Sequence, residues 1–382
     1  MKVFIKQIDS LCWSTERQAM TELQHSERFE ERVSARVRRI PLALTAVVLG
    51  LSLACSPARS LGPEASALDI TDAKLRRRSP DCLDYAGRYT SQAQDMSRKV
   101  TFKGTLTIQG TADKCVFTSN SIPNHAFNDG TAPFVNPVKE VTETYKLPVR
   151  PVKASAPTAL TLAFDNAIFL NGAKLDLLAA ACYGVEVGTA QYGNQELSKE
   201  KIGCFDEKWA WRYDPMSPKN DFKADSHHAH AQPDGAYHYH GNPLALFDND
   251  NPTEPSPVIG FAADGFPIYG PYINDHGKIR KVRSGYTLKK KDLKQKDREP
   301  LSEEEKKDGK KEEAAFPGGE YDGTYRDDYE FTGAGDLDEC NGTDQFGPYG
   351  YYVTDTYPWV MGCFRGTPDE SFKKKPLPGH SH

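Results

Sequence analysis

Half of the histidines in this chain lie close together in the sequence. Five of the ten fall within residues 227–240, and these are His227, His228, His230, His238 and His240. Imidazole titrates near neutral pH and is the commonest protein ligand for transition metals. The cluster therefore indicates proton transfer or metal binding.

Residues 237–240, with the sequence Tyr-His-Tyr-His, alternate two side-chain types. Successive side chains of a β-strand point to opposite faces, so His238 and His240 are predicted to share one face. A Pro-Asp-Gly turn at residues 233–235 separates them from His230 and is expected to fold it back toward the pair. Three imidazoles on one face would form an open site for zinc or copper, with a position left for water or substrate.

Two candidate ligands lie outside the cluster. His125 ends a polar, turn-forming segment that could fold back to the other histidines, and Asp264 precedes a glycine at a predicted turn. An aspartate in such a turn either serves the metal site or bonds its own backbone, and Asp234 is open to the same two interpretations. We therefore take five residues as candidate metal ligands: His230, His238, His240, His125 and Asp264. A structural alternative for the histidine pair is a set of buried, hydrogen-bonded rings, and His227 and His228 are expected to be exposed.

Other groups of residues allow less specific predictions. The acidic run Asp336, Asp338 and Glu339 has oxygen ligands suited to calcium but lacks the spacing of an EF-hand loop, which favours a solvated surface. The aromatic residues of segment 349–359 fit either a sugar-binding cleft or a packed strand. The sequence has no Gly-x-Ser-x-Gly elbow, phosphate-binding glycine loop, dinucleotide fingerprint or His-Glu-x-x-His helix, so familiar enzyme classes are not indicated.

Composition favours a β-rich protein. The 382 residues include 30 glycines and 26 prolines, and alternating patterns predict a hairpin from residues 100–108 and 115–119. Further strands are predicted at 159–165 and 167–172, the second ending in an Asn-Gly turn, and around the turn at Asp264. One short helix is expected over 175–183. The formal net charge of -5 provides no basic field for a nucleic acid, so no nucleic-acid partner is expected.

The first 80 residues are interpreted as a leader and a tether. Arginines precede an apolar run over residues 40–54 that ends at Cys55, which resembles a bacterial lipoprotein signal with Cys55 as the lipidated first mature residue. An ordinary secretory signal is the alternative. We expect a leader over 1–54, a flexible tether over 55–80, and an extracytoplasmic protein anchored by lipid to the outer face of a bacterial membrane.

The remaining cysteines support export. Six lie beyond Cys55, an even number that is typical of disulfides in an exported protein. Many connectivities are possible, but pairing neighbours along the chain predicts 82–115, 182–204 and 340–363. A thiolate metal site is the alternative, although the sequence has no Cys-x-x-Cys pair.

Several segments resemble the YHYH domain family of bacterial exported proteins. The resemblance is carried by residues 233–243 and 256–272, and it extends to 119–125, 170–172, 319–325, 335–342 and 353–358. The resemblance covers most of residues 115–368, while residues 81–114 lie outside its recognisable part and a charged insertion at 287–315 departs from the family pattern. We expect one β-rich domain over about 81–370. Residues 371–382 are expected to be a disordered tail. The resemblance implies an architecture and a site but no reaction.

Together these features predict a mainly β, β-rich α+β fold: a single disulfide-linked globular domain of short strands and long ordered loops. The favoured function is binding of a transition metal, zinc or copper, through the histidine cluster. Two alternatives remain open: a metal-dependent hydrolase or oxidase, and a metal-free module that binds carbohydrate or protein.

Overall fold

A computed structural model describes residues 66–183, 200–202, 204, 211–250, 252–290 and 320–375. The described residues form a mainly β structure, which confirms the predicted fold class. Their helices are single 3-10 turns at Cys82–Tyr85, Leu244–Leu246, Arg326–Asp328 and Glu370–Phe372. None of the described helices has the length and apolar character needed to span a membrane.

A five-stranded sheet forms the amino-terminal part of the domain. Its strands lie in sequence order, and they are β1 (Leu68–Asp69), β2 (Gly87–Asp95), β3 (Val100–Gly110), β4 (Lys114–Ser119) and β5 (Glu143–Pro148). Antiparallel pairing of β3 with β4 confirms the predicted hairpin. Alternate residues of β3 and β4 are buried, because one face of the sheet packs on the core while the other faces solvent.

The folded domain begins before residue 81. Leu68 and Asp69 pair in parallel with β2, and Ile70 is buried. The carbonyl of Arg77 accepts a hydrogen bond from the Val258 amide. Residues 66–80 therefore pack against the domain rather than forming part of the predicted tether, because they contribute an edge strand and a core side chain.

The remaining strands form an eight-stranded sheet and several two-stranded ribbons. In chain order they are β6 (Thr158–Ala159), β7 (Ala167–Phe169), β8 (Lys174–Leu175), β9 (Ala181–Tyr183), β10 (Glu200–Ile202), β11 (Ala229–Ala231), β12 (Tyr237–Tyr239), β13 (Val258–Ala262), β14 (Pro267–Tyr269), β15 (Tyr272–Asp275), β16 (Lys278–Lys281), β17 (Tyr286–Leu288), β18 (Tyr329–Phe331), β19 (Gly342–Thr343), β20 (Gly350–Tyr352) and β21 (Cys363–Phe364). The large sheet has the order β11-β12-β8-β7-β13-β14-β20-β19. Its β11, β12 and β8 lie side by side at one edge.

Two glycine turns organise this sheet as the sequence predicted. Gly172, with φ of 87°, closes the β7–β8 hairpin, and Gly265, with φ of 89°, closes the β13–β14 hairpin. Glycine adopts this left-handed conformation without the steric cost that other residues incur. The strand predicted over 159–165 is wrong beyond Ala159, because the Phe164 amide donates to the Thr161 carbonyl in a turn and Phe164 forms only an isolated bridge with Lys373.

The helix predicted over residues 175–183 is also wrong. Leu175 ends β8, which pairs with β7 on one side and β12 on the other, and β9 begins at Ala181. The apolar residues between them are buried in an extended connection. Tertiary pairing of a short buried segment overrides its local helical pattern here.

The three predicted disulfides are confirmed. They join Cys82 to Cys115, Cys182 to Cys204 and Cys340 to Cys363. Each links segments that neighbour one another along the chain. Disulfides of this kind are typical of proteins that fold in an oxidising compartment.

The charged insertion and the carboxyl-terminal tail are described only in part. Residues 291–319 and 376–382 lie outside the described residues. Phe372 is fully buried, and the amide of Lys374 donates to the carbonyl of Ala163. The tail predicted from residue 371 therefore starts too early, because residues 371–375 pack against the domain.

Candidate metal centre

Three histidines share one face at the edge of the eight-stranded sheet. Strands β11 and β12 are antiparallel with His230 directly opposite His238. The amide of His240 donates to the carbonyl of His228, so the pairing continues past the end of β12. Because side chains two residues apart point the same way, His240 lies on the same face as His238.

The ring nitrogens of these histidines converge. The Nε2 atom of His240 lies 3.0 Å from Nε2 of His238 and 3.1 Å from Nε2 of His230. Among the described residues, these three form a group of potential ligand atoms that all lie within 4.8 Å of one another. Two nitrogens on a tetrahedral zinc lie about 3.3 Å apart when the Zn–N distances are about 2.0–2.1 Å. Two of the three nitrogen separations in the cluster are therefore close to those of ligands on one zinc ion.

Hydrogen bonding alone does not account for this arrangement. A carbonyl oxygen only accepts, so the 2.7 Å contact with the Phe222 carbonyl places a hydrogen on Nδ1 of His230 and leaves its Nε2 as an acceptor. Nε2 of His240 carries either one hydrogen or one lone pair. It cannot satisfy both neighbouring nitrogens in good geometry, whereas a cation accepts the lone pairs of all three.

Burial keeps the histidines neutral. It is the largest cause that lowers the pKa of each of the three rings, and for His238 and His240 the pKa falls well below the usual range. Neighbouring imidazoles and nearby lysine ammonium groups lower the pKa of His238 and His240 further. Metal ligation requires the neutral form of histidine, so these rings are prepared to bind without first losing protons.

An ionic group from β8 and the carboxyl-terminal segment borders the cluster. Asp176 follows β8, and its Oδ2 accepts from Lys374 Nζ at 2.5 Å and from Gln232 Nε2 at 3.0 Å. Lys174 lies opposite His238 in the parallel pairing of β8 with β12. Its Nζ contacts Glu143 at 2.6 Å, and the attraction of the surrounding carboxylates outweighs burial and raises its pKa.

Sequence reasoning did not identify Asp176, Lys374, Gln232 or Lys174 as parts of this site. Only Gln232 lies near the histidines in the sequence, and no motif marks any of the four. The available signal was the predicted Asn-Gly turn at residues 171–172, because such a turn is followed by a strand, and that strand contains Lys174 and precedes Asp176. The pairing of that strand with β12 is long-range and carries no local pattern.

The two tyrosines of residues 237–240 point to the opposite face of β12. Tyr237 donates from its hydroxyl to Asp225 at 2.9 Å. The hydroxyl of Tyr239 donates to Nε2 of His125 at 2.6 Å, because Nδ1 of that ring holds the hydrogen that it donates to the Ala126 carbonyl. Both tyrosines are fully buried.

The structure does not bring His125 to the three histidines. Its ring packs behind β12 against Tyr239, and both of its nitrogens are used in hydrogen bonds. Burial and the neighbouring His227 lower the pKa of His125 to about 3. His125 was predicted as a ligand, but its side chain instead forms a hydrogen-bonded pair with Tyr239 on the opposite face of β12.

Asp264 also lies apart from the cluster. Its carboxylate accepts from the Tyr351 hydroxyl at 2.6 Å and from the Gly366 amide at 2.9 Å, at the turn between β13 and β14. Asp234 accepts from the Ala236 amide within its own turn. For both aspartates the geometry matches the turn-forming interpretation that the sequence left open.

The remaining candidate sites are occupied by internal contacts. Asp336 pairs with Arg280 and Arg283, and Asp338 accepts from two backbone amides and from Tyr349. In the aromatic segment, four tyrosines are buried: Tyr349, Tyr351, Tyr352 and Tyr357. These contacts favour packing over a calcium loop or a sugar-binding face.

Comparison with known proteins identifies a family but no individual relative. Neither curated proteins nor solved structures match the chain. The profile of a protein family, described as YHYH protein, matches residues 144–366, which include every strand from β6 to β21. The match covers more than half of the chain and includes the three clustered histidines, and on this evidence the chain is a member of the YHYH protein family.

Proposed function

We propose that this protein binds one transition metal ion, zinc or copper, through the Nε2 atoms of His230, His238 and His240. The observation that carries the proposal is the contact of one buried imidazole nitrogen with two others at 3.0 and 3.1 Å. Buried polar atoms are normally satisfied, and hydrogens alone cannot satisfy these three. A metal ion with nitrogen-preferring chemistry satisfies them together.

The setting of the cluster supports ligation. His238 and His240 are 3% and 4% exposed, so a bound ion would be shielded from competing water on that side, while His230 is only partly buried. Three protein ligands leave one coordination position free, as in catalytic zinc sites. A metal-dependent hydrolase or oxidase is therefore the second candidate function.

The metal-free binding module has less support. That function would require exposed aromatic residues, and the tyrosines of segment 349–357 are packed in the core.

Export of the protein is also part of the proposal, and the three disulfides support it. Attachment to the outer face of a membrane through lipid on Cys55 is proposed from the sequence alone.

Titration of the metal-free protein with Zn²⁺ and Cu²⁺ tests the proposal. Isothermal calorimetry should show one site per chain, and the His238→Ala, His240→Ala double variant should lose it. The matched control is His276→Ala, because that histidine is almost fully exposed on another part of the domain. Retained stoichiometric binding by a folded double variant would rule out this site.

A further inference from the structure

Several buried polar atoms in and beside the histidine cluster make no hydrogen bond with the described residues. They include Nδ1 of His238, Nδ1 of His240, Oδ1 of Asp165, Oδ1 of Asp176 and Oδ1 of Asn242. When a metal occupies Nε2 of an imidazole, Nδ1 carries the hydrogen and becomes a donor. The two imidazoles then supply donors without partners, and the buried carboxylate oxygens are acceptors that remain unsatisfied, which is costly for buried groups.

Asp176 is in contact with both strands that carry the histidines. Its amide donates to the carbonyl of Tyr239 at 2.9 Å, which lies between His238 and His240 in the chain. Its Oδ2 accepts from Gln232, which lies two residues after His230 and directly follows β11. The side chain is therefore held in place through one oxygen, while Oδ1 has no partner in the part of the chain that the structure describes.

The other partner of Asp176 is the side chain of Lys374. Lys374 contacts Oδ2 at 2.5 Å, and this ammonium group also acts electrostatically on His238 and His240. The main-chain carbonyl of Asp176 also faces the ring of His240 and raises its pKa, although Nδ1 of that ring makes no hydrogen bond with the described residues. One residue thus places a buried carboxylate beside the two histidine-bearing segments and a carbonyl beside the ring of His240.

Asp165 is less well placed for the same role. Its Oδ2 accepts from the Tyr145 hydroxyl at 2.9 Å and lies 3.3 Å from Lys174 Nζ. Lys174 is the residue opposite His238 in the sheet, so the ion pair of Asp165 with Lys174 connects it to the cluster only indirectly. Asp176 has the direct backbone connection to β12.

We infer that Asp176 is a positioning residue for the metal ligands: its Oδ1 accepts the Nδ1 hydrogen of His238 through an ordered water, and its carbonyl accepts that of His240. This inference rests on the proposed metal site and adds the residue that orients its rings. Histidine ligands usually donate their second nitrogen to a carboxylate, a carbonyl or water, which fixes the ring and strengthens it as a ligand. A buried water with several polar partners is an ordinary part of such a site.

Substitution Asp176→Asn tests the inference when compared with Asp264→Asn. Asp264 is a matched control because it is also a buried aspartate next to a strand of the same sheet, but its carboxylate accepts from Tyr351 and from the Gly366 amide. Zn²⁺ affinity would be measured by competition with a chelator, and the fraction folded would be measured in the same samples. We expect Asp176→Asn to weaken zinc binding by roughly 10- to 100-fold. Asp264→Asn should lower stability without changing the affinity of the folded protein.

Nitrogen-15 NMR of the histidine rings supplies a readout that a purely structural role would not change. In the zinc-loaded protein, the Nδ1 hydrogen of His238 should resonate at the downfield position of a hydrogen-bonded imidazole and should shift in Asp176→Asn. This measurement on the unsubstituted protein also decides the question if the variant does not fold. A His238 resonance typical of an unbonded ring would overturn the inference, as would zinc affinity within twofold of normal in Asp176→Asn.

The two proposals fail in different ways. If the unsubstituted protein binds no Zn²⁺ or Cu²⁺, the metal site itself is refuted. If it binds Zn²⁺ but His238 gives the resonance of an unbonded ring, or Asp176→Asn keeps zinc affinity within twofold of normal, only the role of Asp176 is refuted.

Discussion

Replacing His240 with alanine should remove most of the stabilisation that zinc gives to this protein. His240 is the central member of the cluster, since its Nε2 lies within 3.1 Å of both other nitrogens. The substitution also removes a buried ring, so some stability is lost even without metal. The metal-dependent part is isolated by comparing each protein with and without zinc.

The size of the effect follows from the number of ligands. A structural zinc site with four ligands contributes about 10–16 kcal/mol, so one ligand accounts for about 3 kcal/mol, or roughly 100-fold in affinity. At free zinc 100 times the dissociation constant, the unsubstituted protein gains about 2.7 kcal/mol. At the same zinc concentration, His240→Ala would be near its own dissociation constant and would gain about 0.4 kcal/mol.

Thermal unfolding with and without Zn²⁺ measures this difference. For domains of 150–250 residues, 1 kcal/mol corresponds to roughly 2–4 °C, so the unsubstituted protein should shift by roughly 5–10 °C and the variant by about 1 °C. His276→Ala, at an exposed position, should behave like the unsubstituted protein. An equal zinc-dependent shift in folded His240→Ala would refute the reasoning, because the central ligand would then be dispensable.

Three further outcomes are expected. Replacing both Cys340 and Cys363 by alanine should lower the free energy of unfolding by about 3 kcal/mol in a denaturant titration, since their disulfide closes a loop with a sequence separation of 23; an unchanged midpoint would contradict this. Burial raises the pKa of Asp336, but hydrogen bonds from two arginines lower it to about 2. The ionised Asp336 carboxylate therefore stabilises the folded protein above the unfolded pKa of about 3.9, and this contribution is lost as the pH falls toward 2. The stability deficit of Asp336→Asn should disappear over that range in acid titrations. Cys55→Ala should move the protein out of the detergent phase, and its continued recovery there would argue against lipidation.

The histidine face could be predicted because its geometry is local. Alternation within residues 237–240 fixes which side chains share a face, and the turn at 233–235 places His230 opposite His238. The disulfides were also predictable, because each pair lies close together along the chain. In these cases short-range geometry determines the contact.

The surroundings of the cluster could not be predicted because they depend on distant segments. Asp176 reaches it through the parallel pairing of β8 with β12, and Lys374 reaches it from the carboxyl-terminal segment. His125 was placed with the wrong partners for the same reason. Its sequence shows that it lies in a turn-forming segment, but not that the segment packs behind β12 against Tyr239.

Metal content provides the most direct test of the central claim. The protein should be purified without a histidine tag, exposed to equimolar Zn²⁺ or Cu²⁺, desalted, and analysed by inductively coupled plasma mass spectrometry beside the His238→Ala, His240→Ala variant. We predict about one ion per chain in the unsubstituted protein and a trace in the folded variant. A trace of metal in both proteins, or one ion per chain in both, would contradict a metal site formed by His230, His238 and His240.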